Sequence, residues 1–372
     1  MTPPGNTPAP PRLRRGRVLL WFAALIVGFD FLIGAFESTW KQYAPDEYAL
    51  RVEGCAQQPR DLVFAGGSPV AEGIDPEIIG QPLWHGRVLA NSYCVGLSGG
   101  TTSDIYFGLR HACPVAPKVL VYGCTASDFN DSRHEPHGVQ SIMTWSDVDD
   151  WRRTRPEAGE WALRHYAKGK FANASALYQN RFGMRMAAAS ACEELAPGSS
   201  PQSAAEARRQ RNLDDALHRG TGFAPTEYYA FRRYDHWIEA GWVAPPFAYL
   251  ANYKTGSHLK YLQRMLDWAE AGDTEVILID MPVTADLEAR HPAEFAEYRR
   301  RLTEVSRTRG VTILDGRGAA LDDRHFADLI HMNCSGAAYF GIWLRTALWD
   351  LGGAGRPRLT PRGAAAWAEK PR

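Results

Sequence analysis

Three residue types in this sequence stand at spacings that suit acyl transfer. Ser68 follows Gly66-Gly67 at the end of a short apolar run, so its hydroxyl is set on a sharp, exposed turn. Far downstream, Asp328-Leu329-Ile330-His331 separates a carboxylate from an imidazole by two residues. In a tight turn that spacing puts both groups on one side of the chain. The carboxylate can then fix the imidazole tautomer, and the other ring nitrogen can take a proton from a serine hydroxyl. A structural alternative exists for each piece: Gly-Ser turns are common, and an Asp before a helix is an ordinary cap.

Such groups need a scaffold, and the apolar runs supply one. Asp61–Ala65 (DLVFA), Lys118–Tyr122 (KVLVY), Glu275–Asp280 (EVILID) and Val311–Leu314 (VTIL) read as buried strands, with a weaker strand signal in Arg87–Val95. Helical patterns lie between them. Residues 257–271 place Leu259, Leu262, Leu266 and Ala269 on one face, residues 293–309 end at a C-capping Gly310, and Gly336–Leu351 forms a last amphipathic helix. Strands alternating with helices predict an α/β fold with an open, mostly parallel sheet. In such sheets ligands bind at the carboxyl ends of strands, where Ser68 lies. Residues 145–250 interrupt the rhythm and read as a helical insertion, with an exposed loop at 193–211; residues 352–372 lack periodicity and read as a disordered tail.

Before all this comes Val18–Phe36 (VLLWFAALIVGFDFLIGAF), apolar except for Asp30. As a helix it spans about 28 Å, the thickness of a hydrocarbon core. Arg12, Arg14, Arg15 and Arg17 precede it in a Pro-rich arm expected to be disordered. The positive-inside rule then leaves the arm in the cytoplasm and residues 37–372 outside, behind an uncleaved signal anchor. A cleaved signal peptide is the rival, but its apolar region is usually shorter and ends in a small-residue site. Asp30 costs roughly 2.5–3.5 kcal/mol near a bilayer centre, so it is either off-centre and hydrated or turned toward a partner membrane protein. Residues 37–60 read as a connector.

Other classes are disfavoured. Basic and acidic residues are equal at 42 each, so there is no basic surplus for nucleic acid. Gly66-Gly67 and Gly99-Gly100 match no nucleotide-binding loop, and no cofactor is expected. His134-Glu135-Pro136-His137 is broken by a proline, so no helical metal pair is expected. The six cysteines lack CxxC spacing, and an even count outside the membrane suits disulfides. Tryptophans such as Trp145, Trp151, Trp161, Trp237 and Trp242 suit either packed core or sugar stacking. Asp128 and Asn130 suit pocket lining or helix capping, and Asn333 is placed with them as a substrate-binding candidate.

Taken together, Gly66-Gly67-Ser68, Leu97-Ser98-Gly99-Gly100-Thr101 and Asp328-x-x-His331 resemble the block pattern of the SGNH (GDSL-like) hydrolase superfamily. The resemblance implies a three-layer α/β/α fold over roughly 61–130 and 275–350. It also implies a Ser68–His331–Asp328 triad and an oxyanion hole from the amides of Ser68 and Gly99. The family's Gly-x-Asn-Asp third block is replaced by Gly123-Cys124-Thr125-Ala126-Ser127-Asp128, leaving Thr125 or Ser127 as the third donor. Ser68 with Gly73-Ile74-Asp75-Pro76, then Gly96-Leu97-Ser98-Gly99-Gly100 with Asp104 and Tyr106, is similar to the membrane-anchored branch. That branch includes alginate O-acetylation proteins and the D-alanyl transfer protein of teichoic-acid synthesis. It implies an acyl donor, a cell-surface polysaccharide acceptor and a multi-spanning membrane-bound O-acyltransferase partner. The alternatives are a glycan or lipid acyl esterase, or a non-catalytic assembly or binding subunit.

Overall fold

The computed structural model describes residues 12–36, 47–132, 142–156, 159–178, 180, 184, 187–188, 220–223 and 248–353. The His134–His137 motif, the loop at 193–211, Trp237, Trp242 and the tail beyond 353 lie outside the described residues, as does residues 37–46 of the connector. The chain divides into two compact units, one holding residues 1–45 and 170–204, the other the rest.

In the first unit, α1 runs over Arg12–Ala35. Its Arg17–Ala35 portion has mean hydropathy 2.3, long and apolar enough to be a membrane anchor or a signal sequence. Helix begins at Arg12, six residues before the expected start at Val18. Arg and Leu are good helix formers, and once the apolar run has nucleated, each added residue gains a hydrogen bond. Asp30 is partly exposed, and partners for it within this unit come from the same chain. Its carboxylate accepts from Ser175 Oγ (2.7 Å) and the Leu177 amide (2.8 Å).

The second unit is the α/β domain. In chain order it contains α2 (Glu47–Ala56), β1 (Leu62–Gly66), α3 (Ser68–Gly73), α4 (Pro76–Ile79), β2 (Leu83–Trp84), β3 (Arg87–Val88), β4 (Ser92–Gly96), α5 (Thr102–Ala112) and β5 (Val119–Cys124). There follow α6 (Trp145–Thr154), α7 (Gly159–Ala174, which runs into the first unit), α8 (Ser257–Ala271), β6 (Glu275–Asp280), α9 (Ala285–Arg290), α10 (Pro292–Arg309), β7 (Thr312–Asp315) and α11 (Cys334–Gly352). The five main strands are parallel in the order β4-β1-β5-β6-β7, and β2 and β3 pair separately. The weak signal in 87–95 thus divides, and only its second half joins the main sheet.

Alternate residues of each strand serve opposite faces. Val63 and Ala65 join Phe107, Trp151 and Tyr261 on one side; Leu62 and Phe64 join Val70, Phe340 and Leu344 on the other. Each fully buried Val, Leu or Phe among them stabilises the fold by about 1.5–3 kcal/mol. Trp151 is fully buried and stacks on Phe107, so it is core rather than a sugar platform, while Trp145 is half exposed. Gly310 closes α10 with a left-handed φ of 65°, the expected cap.

Cys55, Cys94, Cys113 and Cys124 are buried thiols, and no disulfide joins the described cysteines; Cys192 lies outside the described residues. Burial pushes the Cys94 thiol up to about 11. Even the closest pair, Cys55 and Cys113, holds its sulfurs 3.9 Å apart, well beyond the ~2.05 Å of a bond.

A buried ion cluster ties α10 to the end of β6. Arg299 donates to Asp280 Oδ2 (3.0 Å) and to Glu288 Oε1. Burial raises the Asp280 carboxyl, and the Arg299 cation opposes that rise. Arg299→Met would leave two carboxylates without their cation, so a loss of about 3–5 kcal/mol is expected. Urea melts measure it, and adding Asp280→Asn to the same protein should restore part of the loss.

Candidate active site

The carboxyl ends of β4, β1 and β5 each carry a glycine, and pairing brings them into one row: Gly96 beside Gly66, Gly66 beside Gly123. A methyl group on Gly66 would overlap the Gly123 carbonyl oxygen and a Val70 methyl, and one on Gly96 would overlap the Ala71 backbone. The row is therefore a seat on which α3 rests directly. Ser68 is the first residue of α3, capped by Gly67 and followed by Pro69, whose fixed φ suits a first turn. Gly67 itself has ordinary extended geometry (φ −75°).

The second half of the site comes from the segment before α11. The amides of Ile330 and His331 both donate to Asp328 Oδ1 (2.9 Å each), which folds Asp328–His331 into a tight turn. The Ala327 amide donates to the His331 carbonyl (2.8 Å), and Phe326 bridges Met332. Asp328 Oδ2 then lies 2.7 Å from His331 Nδ1, and His331 Nε2 lies 2.7 Å from Ser68 Oγ. A carboxylate only accepts, so Nδ1 carries the proton and Nε2 is free to accept from the serine hydroxyl. Burial raises the Asp328 carboxyl. The charge and hydrogen bond of His331, with the two turn amides, more than reverse this and hold it below the usual carboxylate range.

Gly99 sits at the third position of a turn closed by the Gly100 amide on the Leu97 carbonyl (2.8 Å). Its φ of 71° needs glycine, and the space off its Cα is open. Ser68 and Gly99 thus stand on two neighbouring loops at the same sheet edge, at the ends of adjacent strands.

The remaining candidates are held in local hydrogen-bond networks. Thr125 is committed: its amide (2.7 Å) and its hydroxyl (3.0 Å) both meet Asp128 Oδ2, and Ser127 Oγ lies 2.6 Å from the same hydroxyl. Both hydroxyls are thus engaged within this turn, Thr125 as part of a capping box. Asp128 is that cap, and its other oxygen lies 3.6 Å from where a Cβ on Gly67 would stand, against the nucleophile turn. Asn130 is fully buried, its Oδ1 accepting from the amides of Ser132 and Lys254 (3.0 Å each). Asn333 caps α11 through the Gly336 amide (3.0 Å) and donates to the Arg324 carbonyl (2.7 Å). Both asparagines fix backbone rather than line a pocket. Thr125→Val is therefore expected to cost about 1 kcal/mol of stability. Its effect on turnover should fall far short of the ~10²–10³-fold drop of a lost oxyanion donor. Ester kinetics and a urea melt on one preparation decide between cap and donor.

Two features escape single-residue reading. One is the glycine row. The other is a repeated Thr-x-Ser-Asp capping box at Thr101–Asp104, Thr125–Asp128 and Thr144–Asp147. The first two follow β4 and β5, at the same end of the sheet as Ser68. They are joined where Thr102 Oγ1 donates to the Asp128 carbonyl (2.7 Å) and Tyr122 donates to Thr102 Oγ1 (3.1 Å). The recurring four-residue pattern was the available signal. Comparison with known proteins returns no matching family model and no matching curated protein, so the chemistry of this site is read from its geometry.

Proposed function

We propose that this chain is an extracytoplasmic serine O-acyltransferase of the three-layer SGNH type, transferring an acyl group to a cell-surface polysaccharide hydroxyl through an acyl-serine. The observation that supports it is the unbroken chain Ser68 Oγ–His331 Nε2 and His331 Nδ1–Asp328 Oδ2, each 2.7 Å. Ser68 Oγ attacks the acyl carbonyl carbon as its proton moves to His331 Nε2. Charge builds on the carbonyl oxygen, where the amides of Ser68 and Gly99 receive it. Collapse breaks the donor C–O bond, and His331 returns its proton to the leaving oxygen. A sugar hydroxyl then attacks the acyl-serine with His331 again as base, and Ser68 leaves with the proton. Asp328 stabilises the imidazolium in both halves.

The anchor reading of α1 keeps this domain at a membrane surface, where a multi-spanning O-acyltransferase would deliver the acyl donor. With Thr125 bonded to Asp128, the amides of Ser68 and Gly99 are the candidate oxyanion donors among the described residues, which fits a slow, specialised transfer. The test uses the full-length protein in detergent, p-nitrophenyl acetate as donor and short oligosaccharides as acceptors. Acetyl appearing on sugar only with wild-type Ser68 supports transfer. Release of acetate alone makes the protein an esterase. Absence of both turnover and fluorophosphonate labelling at Ser68, in folded protein, makes it a binding subunit and overturns the reading.

A further inference from the structure

The acid in α1 has partners from far along the same chain. Asp30 lies five residues inside the end of the apolar span at Ala35, about 8 Å at 1.5 Å per residue. A carboxylate at that depth persists where donors meet it. Three do: Ser175 Oγ at 2.7 Å, the Leu177 amide at 2.8 Å and the Ala176 amide at 3.3 Å. Ser175 Oγ in turn accepts from the Tyr178 amide (3.2 Å), and Asn180 Nδ2 donates to the Ala176 carbonyl (2.9 Å). Residues 176–178 are helical, and the first amides of a helix have no acceptor of their own. Asp30 therefore does, from another helix, what an N-cap side chain does locally.

A second contact lies on the same face one turn further on. A methyl on Gly34 would stand 3.3 Å from Ala176 Cβ, so the two backbones approach closely through small residues. Between them Ile33 is 5% exposed, whereas Phe31 on the other face is 80% exposed. Phe171 and Ala174, which flank the contact, are exposed, and no charged side chain falls between Phe171 and Tyr178. Polar satisfaction and close packing thus coincide on one strip of α1.

We infer that residues 171–178 form a second membrane-inserted element, docked on the domain-side end of the anchor through Asp30 and Gly34. The inference rests on the anchor reading of α1. It makes the N-terminal helix a permanent part of the folded protein: removing it as a signal peptide would strip three donors of their shared acceptor. It also assigns Asp30 to this chain's own segment instead of to a partner.

The test uses full-length protein in phosphatidylcholine–phosphatidylglycerol liposomes. Gly34→Cys with Ala176→Cys should form a disulfide on mild copper oxidation, because the Cβ separation is close to the usual 3.5–4.5 Å. Mass spectrometry of the linked peptides reads it apart from native cysteines, and circular dichroism reports folding. Gly28→Cys with Ala176→Cys is the control, since Gly28 has nothing within 4 Å. Linkage well above the control, lost several-fold when Asp30→Leu is added, is the expected result. Separately, Leu177→Cys should resist a membrane-impermeant maleimide in liposomes and react once detergent is added. Linkage no higher than the control, or full reaction of Leu177→Cys before detergent, overturns the docking in protein that stays in the carbonate-washed pellet. Release into the carbonate wash, or loss of an N-terminal tag during export, overturns the anchor reading and the docking with it.

Discussion

His331→Ala is expected to fold normally and to lose ester turnover by on the order of 10⁴–10⁶-fold, with Ser68→Ala losing as much and the double variant no more. The three losses coincide because the two side chains are expected to act as one device, with the serine proton passing to His331 Nε2 at 2.7 Å. Asp328→Asn should cost about 10⁴-fold by a different route. An asparagine Oδ1 can keep the turn amides of Ile330 and His331, but its NH₂ then faces Nδ1 and forces the other tautomer. The proton moves to Nε2 and the serine loses its base. Steady-state hydrolysis of p-nitrophenyl acetate, with circular dichroism melts beside it, measures all four proteins. Near wild-type turnover in His331→Ala would remove the triad from the account. The same variant has a stability signature. The Asp328 carboxyl is held below its usual value, so its contribution is complete above the unfolded pKa of about 3.9 and is lost as pH falls through the folded one. Wild type should therefore lose stability more steeply than Asp328→Asn below about pH 4.

Gly66→Ala is expected to reduce turnover about 10²-fold in a protein that still folds, while Gly67→Ala changes it little. The new methyl at Gly66 meets backbone, the Gly123 carbonyl, together with Val70 at the foot of α3. Backbone cannot rotate aside, so α3 must rise from the sheet, at about 1–3 kcal/mol for overpacking. Ser68 rises with it, and a misplacement of about 1 Å costs roughly 10² in rate. At Gly67 the nearest atoms, Asp128 Oδ1, the Gly100 carbonyl oxygen and Pro69 Cδ, are all 3.6 Å away, ordinary contact at an ordinary φ. The glycine nearer the serine in sequence is thus the more replaceable one. Equal damage from both substitutions would show that the pair serves turn flexibility and not the seating of α3.

The strands and long helices were legible because their signals are local. Glu275–Asp280 and Ser257–Ala271 fall where apolar runs and helical spacing put them, and Gly310 caps where a glycine after a helical pattern should. Ser68, Asp328 and His331 were legible as types at telling spacings. Their mutual approach was not, because it depends on a 263-residue separation closed by the sheet. Thr125 and Asn130 stayed ambiguous for one reason: a polar residue after a strand can face a substrate or satisfy nearby backbone, and composition does not distinguish them. The helices α3 and α4 are too short to show periodicity. The glycine row exists only once strands are in register, and the partner of Asp30 lies 145 residues away.

The sheet order β4-β1-β5-β6-β7 has a kinetic consequence. The first three strands fall between Leu62 and Cys124 and close over short loops, whereas β6 begins only at Glu275. Joining β5 to β6 closes the longest loop in the sheet, the step with the greatest entropy loss and the slowest pairing. Ser68 belongs to the early half, while Asp328 and His331 belong to the late one. During refolding the serine should therefore be present and structured before it is reactive, and the onset of fluorophosphonate labelling would time the closing of that seam.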